Sequence, residues 1–140
     1  MIRVLHVSGM EELLQTYRRE FSEPQIVFDF VLRKGGQDYR FKEDFDGALH
    51  YVTPMQESPV RWASEIRKIV KQGDYSHVHV HAGWANALLV LACQGLGAKL
   101  VVHSHTVTSQ GNPAKAVLRA FARLVISLFS DRERWFTHND

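Results

Sequence analysis

Five histidines at alternate positions in two apolar stretches are the residues best suited to chemistry. Ser76–Trp84 reads SHVHVHAGW and Val101–Val107 reads VVHSHTV. Residues two apart on a strand share a face. His77, His79 and His81 are therefore expected on one side of the first stretch, and His103 and His105 on one side of the second. Imidazole titrates near neutral pH, so it can orient a hydroxyl, take a proton from it, or ligate a metal. Both stretches run straight into loops of small residues and hydroxyls: Ala82-Gly83-Trp84 after the first, and Thr106 through Asn112 after the second.

Three roles compete for these side chains. Alternating histidines can bind zinc, but no neighbouring cysteine or carboxylate completes a ligand set, so no metal is assigned. A structural role within or beside the sheet suits His6, His50 and His77, with His79 leaning the same way. For His81 and His105, at the strand ends, a substrate pocket stands beside the structural reading and is the assignment taken; His103 is left between the two. Other routes fail. There is no GxSxG, and Cys93 has no base beside it in the sequence. Asp38, Glu43, Asp44 and Asp46 read as a solvated acidic loop.

Positioning these residues requires a sheet. IRVLHVS (2–8), IVFDFVL (26–32), LHYVT (49–53), SHVHVH (76–81) and KLVVHSH (99–105) are short, apolar and rich in β-branched residues, as buried parallel strands are. Between them lie segments with helical spacing: Glu11 to Phe21, Val60 to Gln72 with Gly73 as its stop, Trp84 to Leu96, and Pro113 to about Leu124. Tyr39 to Asp46 is charged and holds at most one helical turn. Val125–Ser130 either continues the last helix or forms a sixth short strand. Strands alternating with helix-length crossovers predict an α/β fold, a doubly wound parallel sheet of Rossmann type, in one domain over 1–140. Ligands of such sheets bind outside the carboxyl ends of the strands. That places Gly9, His81, Gly83, Trp84, His103, Ser104, His105 and Thr106 among the candidates. Gly9 also precedes a helix whose N-terminus could hold an anion, although GxGxxG is absent after the first strand.

Composition narrows the function. Hydrophobic residues make up 45% and charged residues 23%, the balance of a folded globular chain. Seventeen Lys and Arg against 15 Asp and Glu give a net charge of +2, which makes no case for nucleic acid. A single cysteine excludes an intramolecular disulfide and suits a reducing, cytoplasmic compartment. The apolar run Ala87–Cys93 is far short of the ~18 residues that cross a bilayer. Lys115, Arg119 and Arg123 recur at spacing four and line one face of an apolar helix. That face is either the solvated edge of a sheet-covering helix or a peripheral contact with an anionic membrane.

MIRVLHVSG, DYSHVHVHAGW and AKLVVHSHT, in this order and spacing, resemble the amino-terminal half of family 4 glycosyltransferases, with the nearest likeness to bacterial exopolysaccharide and capsule enzymes. The tail LFSDRERWF is similar to a later segment of the same family. The resemblance implies two Rossmann-like domains facing a cleft (GT-B), with the acceptor on the amino-terminal side and a nucleotide sugar on the carboxyl-terminal side. It implies retaining transfer without a metal or other cofactor. By position, His79 and His81 match the histidines of one family strand. His103, Ser104 and His105 match a second that ends at the cleft, and Ser130 matches the serine of a later turn. His105 is the expected catalytic residue; Gly9, His81, Gly83, Trp84, His103, Ser104, Thr106 and Ser130 are expected substrate contacts. Two departures bear on activity. The family's longer glycine-rich first loop is shortened here to Gly9-Met10-Glu11, and the sequence ends at Asp140, where the donor-binding domain would follow. The expectation is a glycosyltransferase-like domain for cell-surface polysaccharide synthesis that is inactive or incomplete without a donor-binding domain, supplied for instance by a separate subunit. The alternative is a non-catalytic binding or partner module using the same strand ends.

Overall fold

The computed structural model describes residues 1–7, 26–35, 47–81, 85–102 and 113–129, the side chains of 113–119 and 129 excepted. Its elements are β1 (Ile2–Val7), β2 (Ile26–Arg33), β3 (Leu49–Val52), α1 (Pro59–Gly73), β4 (His77–Val80), α2 (Asn86–Ala92), β5 (Lys99–Val102) and α3 (Pro113–Phe129). The strands form one five-stranded sheet, ordered β3-β2-β1-β4-β5, with every pair parallel. This is the α/β, Rossmann-like sheet that the alternation of strands and helices predicts. The helix expected over Glu11–Phe21, the segment Tyr39–Asp46 and the loop Thr106–Asn112 lie outside the described residues.

Register divides the sheet into two chemically different faces. Leu5 pairs with Asp29 and Val78, Val7 with Val31 and Val80, and Val78 with Leu100. These positions share a face. The core forms on that face, where Leu5, Val7, Val31, Val52, Val78, Val80 and Leu100 meet Trp62, Ile66 and Val70 of α1 and Leu89 and Val90 of α2. Leu5, Ile66, Val78, Val80, Leu89 and Val90 are fully enclosed. Each such burial contributes about 1.5–3 kcal/mol. The opposite face carries His6, Phe28, Phe30, Tyr51, His77 and His79, the neighbours of those residues along each strand.

The helices end where local chemistry requires it. Pro59 opens α1, and Trp62, Ala63, Ile66 and Val70 form its buried stripe. The sequence makes Gly73 the stop of this helix. Instead Gly73 is its last helical residue, and Asp74 takes the left-handed conformation at φ +50°. Gly73 serves packing: a Cβ there would clash with the edge of the Tyr75 ring. Helix α2 ends sooner than the expected Trp84–Leu96. It unwinds after Ala92 into turns that place Gly95 and Gly97 at φ +73° and +79°. The Arg67 guanidinium donates to the carbonyls of Ala92 and Gln94, satisfying the exposed end of α2. Helix α3 continues to Phe129, so Val125–Phe129 extends the helix and forms no sixth strand.

Two polar devices hold the sheet's margins. Asp29 is fully buried on the apolar face. Its Oδ2 accepts from Arg3 Nη2 at 2.6 Å and from the Tyr75 hydroxyl at 2.6 Å, and its Oδ1 accepts from the Ala48 amide at 2.8 Å. Arg3 also donates to the Gly73 carbonyl at 3.0 Å, and His50 Nε2 lies 2.9 Å from the Tyr75 hydroxyl. Burial, then the bond to Asp29, pushes the Tyr75 phenol well above its ordinary range. Beyond β3, Glu65 of α1 accepts from the Thr53 amide at 2.6 Å and the Thr53 hydroxyl at 3.1 Å, with Arg61 at 3.2 Å and Lys34 at 3.4 Å. The Thr53 amide bond above all lowers the Glu65 carboxyl to about 2.

Breaking the first device leaves Arg3 and Tyr75 without their acceptor. Asp29→Ala should therefore cost about 3 kcal/mol in urea unfolding; a loss below about 1 kcal/mol would show that solvent replaces the carboxylate. For Glu65 the folded pKa lies below the unfolded one. Its contribution is thus complete above about 4.5 and fades as pH falls toward about 2. Glu65→Gln should lower stability at pH 7 by about 1 kcal/mol, the site being partly open to solvent. The difference from wild type should close in acid unfolding curves taken through that window.

Candidate functional site

A change in the side on which strands are added creates the site. From β1 the chain proceeds to β2 and β3 on one side of the sheet, then returns to add β4 and β5 on the other. The strand order therefore switches between β1 and β4, and ligands of open parallel sheets bind beyond the strand ends at such a switch. In-register pairing sets His6 of β1 directly beside His79 of β4. His81 follows β4 immediately, held by its amide donating to the Val7 carbonyl at 3.1 Å. Three imidazoles thus gather at the carboxyl ends of the two central strands. Ring centroids are 4.4 Å apart for His6 and His79, 4.2 Å for His79 and His81, and 5.3 Å for His6 and His81.

The cluster is graded in exposure. His6 is 1% exposed and stacks on Phe30 at 5.4 Å, with Phe28 at 6.3 Å; His79 and His81 are half-buried. His79 Nδ1 lies 3.0 Å from His6 Nε2, a hydrogen bond in which one ring supplies the proton and the other the lone pair. Burial first, then the neighbouring His79 and His81, lowers the His6 pKa to about 3. His6 is accordingly a neutral imidazole at physiological pH. Such a group can relay a proton, orient a hydroxyl through its half-buried neighbours, or offer a lone pair to a metal. One ligand nitrogen from each of the three residues lies within 4.8 Å of the others.

Of the residues singled out from the sequence, the structure places His81 and His79 in this cluster. Gly9, Gly83, Trp84, His103, Ser104, His105, Thr106 and Ser130 lie outside the described residues. His77 is apart from the cluster at the start of β4, its Nδ1 3.1 Å from the Ser76 hydroxyl. His50 belongs to the Asp29 network, with its pKa lowered by burial, partly offset by Asp29. Sequence reasoning assigned His6 a structural role and did not join it to the others. A signal was present: LHV in β1 and VHV in β4 are the same apolar-His-Val phrase near the ends of two strands that a parallel sheet can pair. Cys93 is buried and its thiol is pushed up to about 11 by burial, which makes it a poor nucleophile.

Comparison with known proteins adds one finding. Residues 8–132 match the family model described as a glycosyl transferase 4-like domain. The curated proteins and the solved structures gave no significant match. The matched span covers most of the chain, and the parallel sheet with its flanking helices is the architecture such a domain requires. The chain belongs to the glycosyl transferase 4-like domain family.

Proposed function

We propose that this domain forms the acceptor side of a glycosyltransferase that moves a sugar from a nucleotide sugar to a glycan or lipid-linked acceptor in cell-surface polysaccharide synthesis. The family match over residues 8–132 carries the reading. The position of the histidine cluster at the switch between β1 and β4 supports it, because an acceptor hydroxyl there would meet imidazole nitrogens at the open end of the sheet. In this reading His81 orients the hydroxyl. His105 takes part in proton transfer, and Gly9, Gly83, Trp84, His103, Ser104, Thr106 and Ser130 contribute contacts. The leaving diphosphate carries negative charge that must be stabilised in the transition state. That work falls to a donor-binding domain, whether covalently continuous with this one or a separate subunit. The 140 residues by themselves then bind without turning over, in the cytoplasm.

The test is transfer of labelled sugar from a panel of nucleotide sugars to lipid-linked acceptors, with the 140-residue chain alone and with a donor-binding domain added. Product should form only in the second case, and His105→Ala should lower its rate about 100-fold or more. Turnover by the chain alone would end the claim of dependence. Acceptor retention without product in either case would point to a binding module.

A specific observation favours a peripheral membrane position. Ala122 and Val125 of α3 are buried, whereas Phe121, Leu124 and Leu128 are 59%, 54% and 65% exposed. These three fall at i, i+3 and i+7, a single apolar stripe on the outer side of the helix; Arg123 is also exposed, about 100° round the helix from Leu124. Lys115 and Arg119 precede Arg123 at the same spacing of four. Among the described residues no helix is long and apolar enough to cross a membrane, so contact would be interfacial. The chain should sediment with anionic liposomes at low salt and release at high salt, and Phe121→Ser with Leu124→Ser should abolish binding. Equal binding to neutral liposomes would remove the role of the basic residues.

A further inference from the structure

We infer that His6, His79 and His81 form a binding site for a zinc-class divalent cation at the junction of β1 and β4. The inference rests on geometry and does not depend on the glycosyl transfer reading. Of the alternating histidines of β4 and its end, only His79 and His81 enter the cluster; the third ligand comes from β1, through the register that pairs His6 with His79. The sequence around His79 and His81 offers an incomplete ligand set, and the fold completes it with His6, a residue 73 positions from His79.

The distances suit an ion. Zinc binds imidazole nitrogen at about 2.0–2.1 Å, so two nitrogens of a tetrahedral site stand about 3.3 Å apart. His6 Nε2 and His79 Nδ1 are 3.0 Å apart, and all three ligand nitrogens lie within 4.8 Å of one another. The widest pair would have to close by at most about 1.5 Å, within the reach of imidazole rotation about its side-chain bonds. An ion would replace the hydrogen bond between His6 and His79 with two coordinate bonds. The backbone needs no rearrangement, because His81 is already tied to Val7 and His79 is already paired with His6.

Ligand chemistry selects the ion. An all-imidazole set suits zinc and its transition-metal neighbours, whereas magnesium and calcium require oxygen. Phe28 and Phe30 wall the buried side at His6, and His79 and His81 leave the other side half-open. Three protein ligands leave a fourth position for an oxygen, either water or a hydroxyl. An ion there would cross-link the two central strands at the point where the sheet changes direction.

The untagged 140-residue chain, stripped with chelator, is titrated with cobalt(II) and read by visible absorption, then challenged with zinc. One equivalent should bind, give the intense bands of a tetrahedral nitrogen site, and be displaced by zinc; zinc should also raise the melting temperature. His79→Gln and His81→Gln should each weaken binding at least about 10-fold, a lower bound taken from the loss of mere supporting contacts around metal sites. His77→Gln, on the same strand outside the cluster, should leave it unchanged. Circular dichroism establishes that each variant folds, and the half-buried positions are chosen because His6 itself is enclosed. Failure of the wild-type chain to bind cobalt or zinc would overturn the proposal. So would binding that survives the combined His79→Gln and His81→Gln change, or that is lost in His77→Gln.

Discussion

The parallel pairing of β1 with β4 is the constraint on which the rest of this domain depends. It joins the two halves of the sheet, since β2 and β3 extend from one partner and β5 from the other. The same four residue pairs place Leu5 and Val7 against Val78 and Val80 on one face and His6 against His79 on the other. Hydrophobic burial on the first face is strongly register-dependent, because a strand's side chains alternate. The apolar core therefore determines the position of the histidines, although it contains none of them. A polar cluster that could not specify its own arrangement is held by the apolar surface behind it.

The two faces also differ in how they use polarity. On the core face, Asp29 is a buried charge surrounded by a guanidinium, a phenol and a backbone amide, all donors. Such a network is fully committed and has no remaining capacity for chemistry; its work is to fasten the start of β1 to the end of α1. On the opposite face His6, held neutral by burial, stands with His79 and His81 in a group close together and half-open at one side. A group that must exchange a proton or accept a ligand needs that latitude. The contrast between a saturated network and an adaptable one separates structural polarity from functional polarity here more clearly than residue type does, since histidine occurs in both.

Much of this was legible in the sequence, for a physical reason. Buried parallel strands are short apolar runs, and IRVLHV, IVFDFVL and LHYV could scarcely be other elements once the helices between them were identified. The facing of His79 and His81 followed from alternation alone. What could not be read was any relation between strands. His6 looked like an isolated core histidine because partnership across a sheet is a property of register. Gly73 looked like a helix stop because glycine commonly is one, whereas its lack of a side chain admits the Tyr75 ring and the left-handed turn passes to Asp74. The sequence extends helix α2 to Leu96 because apolar composition does not distinguish a final helical turn from the irregular turns that follow Ala92. The family likeness drawn from MIRVLHVSG, DYSHVHVHAGW and AKLVVHSHT agrees with the match over residues 8–132.

The handover from α1 to β4 has a wider meaning for how such a sequence can change. Gly73 is closed over by the Tyr75 ring, Asp74 makes the reversal, Tyr75 is fastened to Asp29, and the Ser76 amide and hydroxyl both bond to the Arg3 carbonyl at 3.0 and 2.8 Å. Three of these four consecutive residues are anchored by contacts and the fourth by its left-handed turn, so the connection has little slack. One residue gained or lost there would turn β4 over, presenting histidines to the core and valines to the opposite face. The link therefore tolerates side-chain replacement better than any change of length.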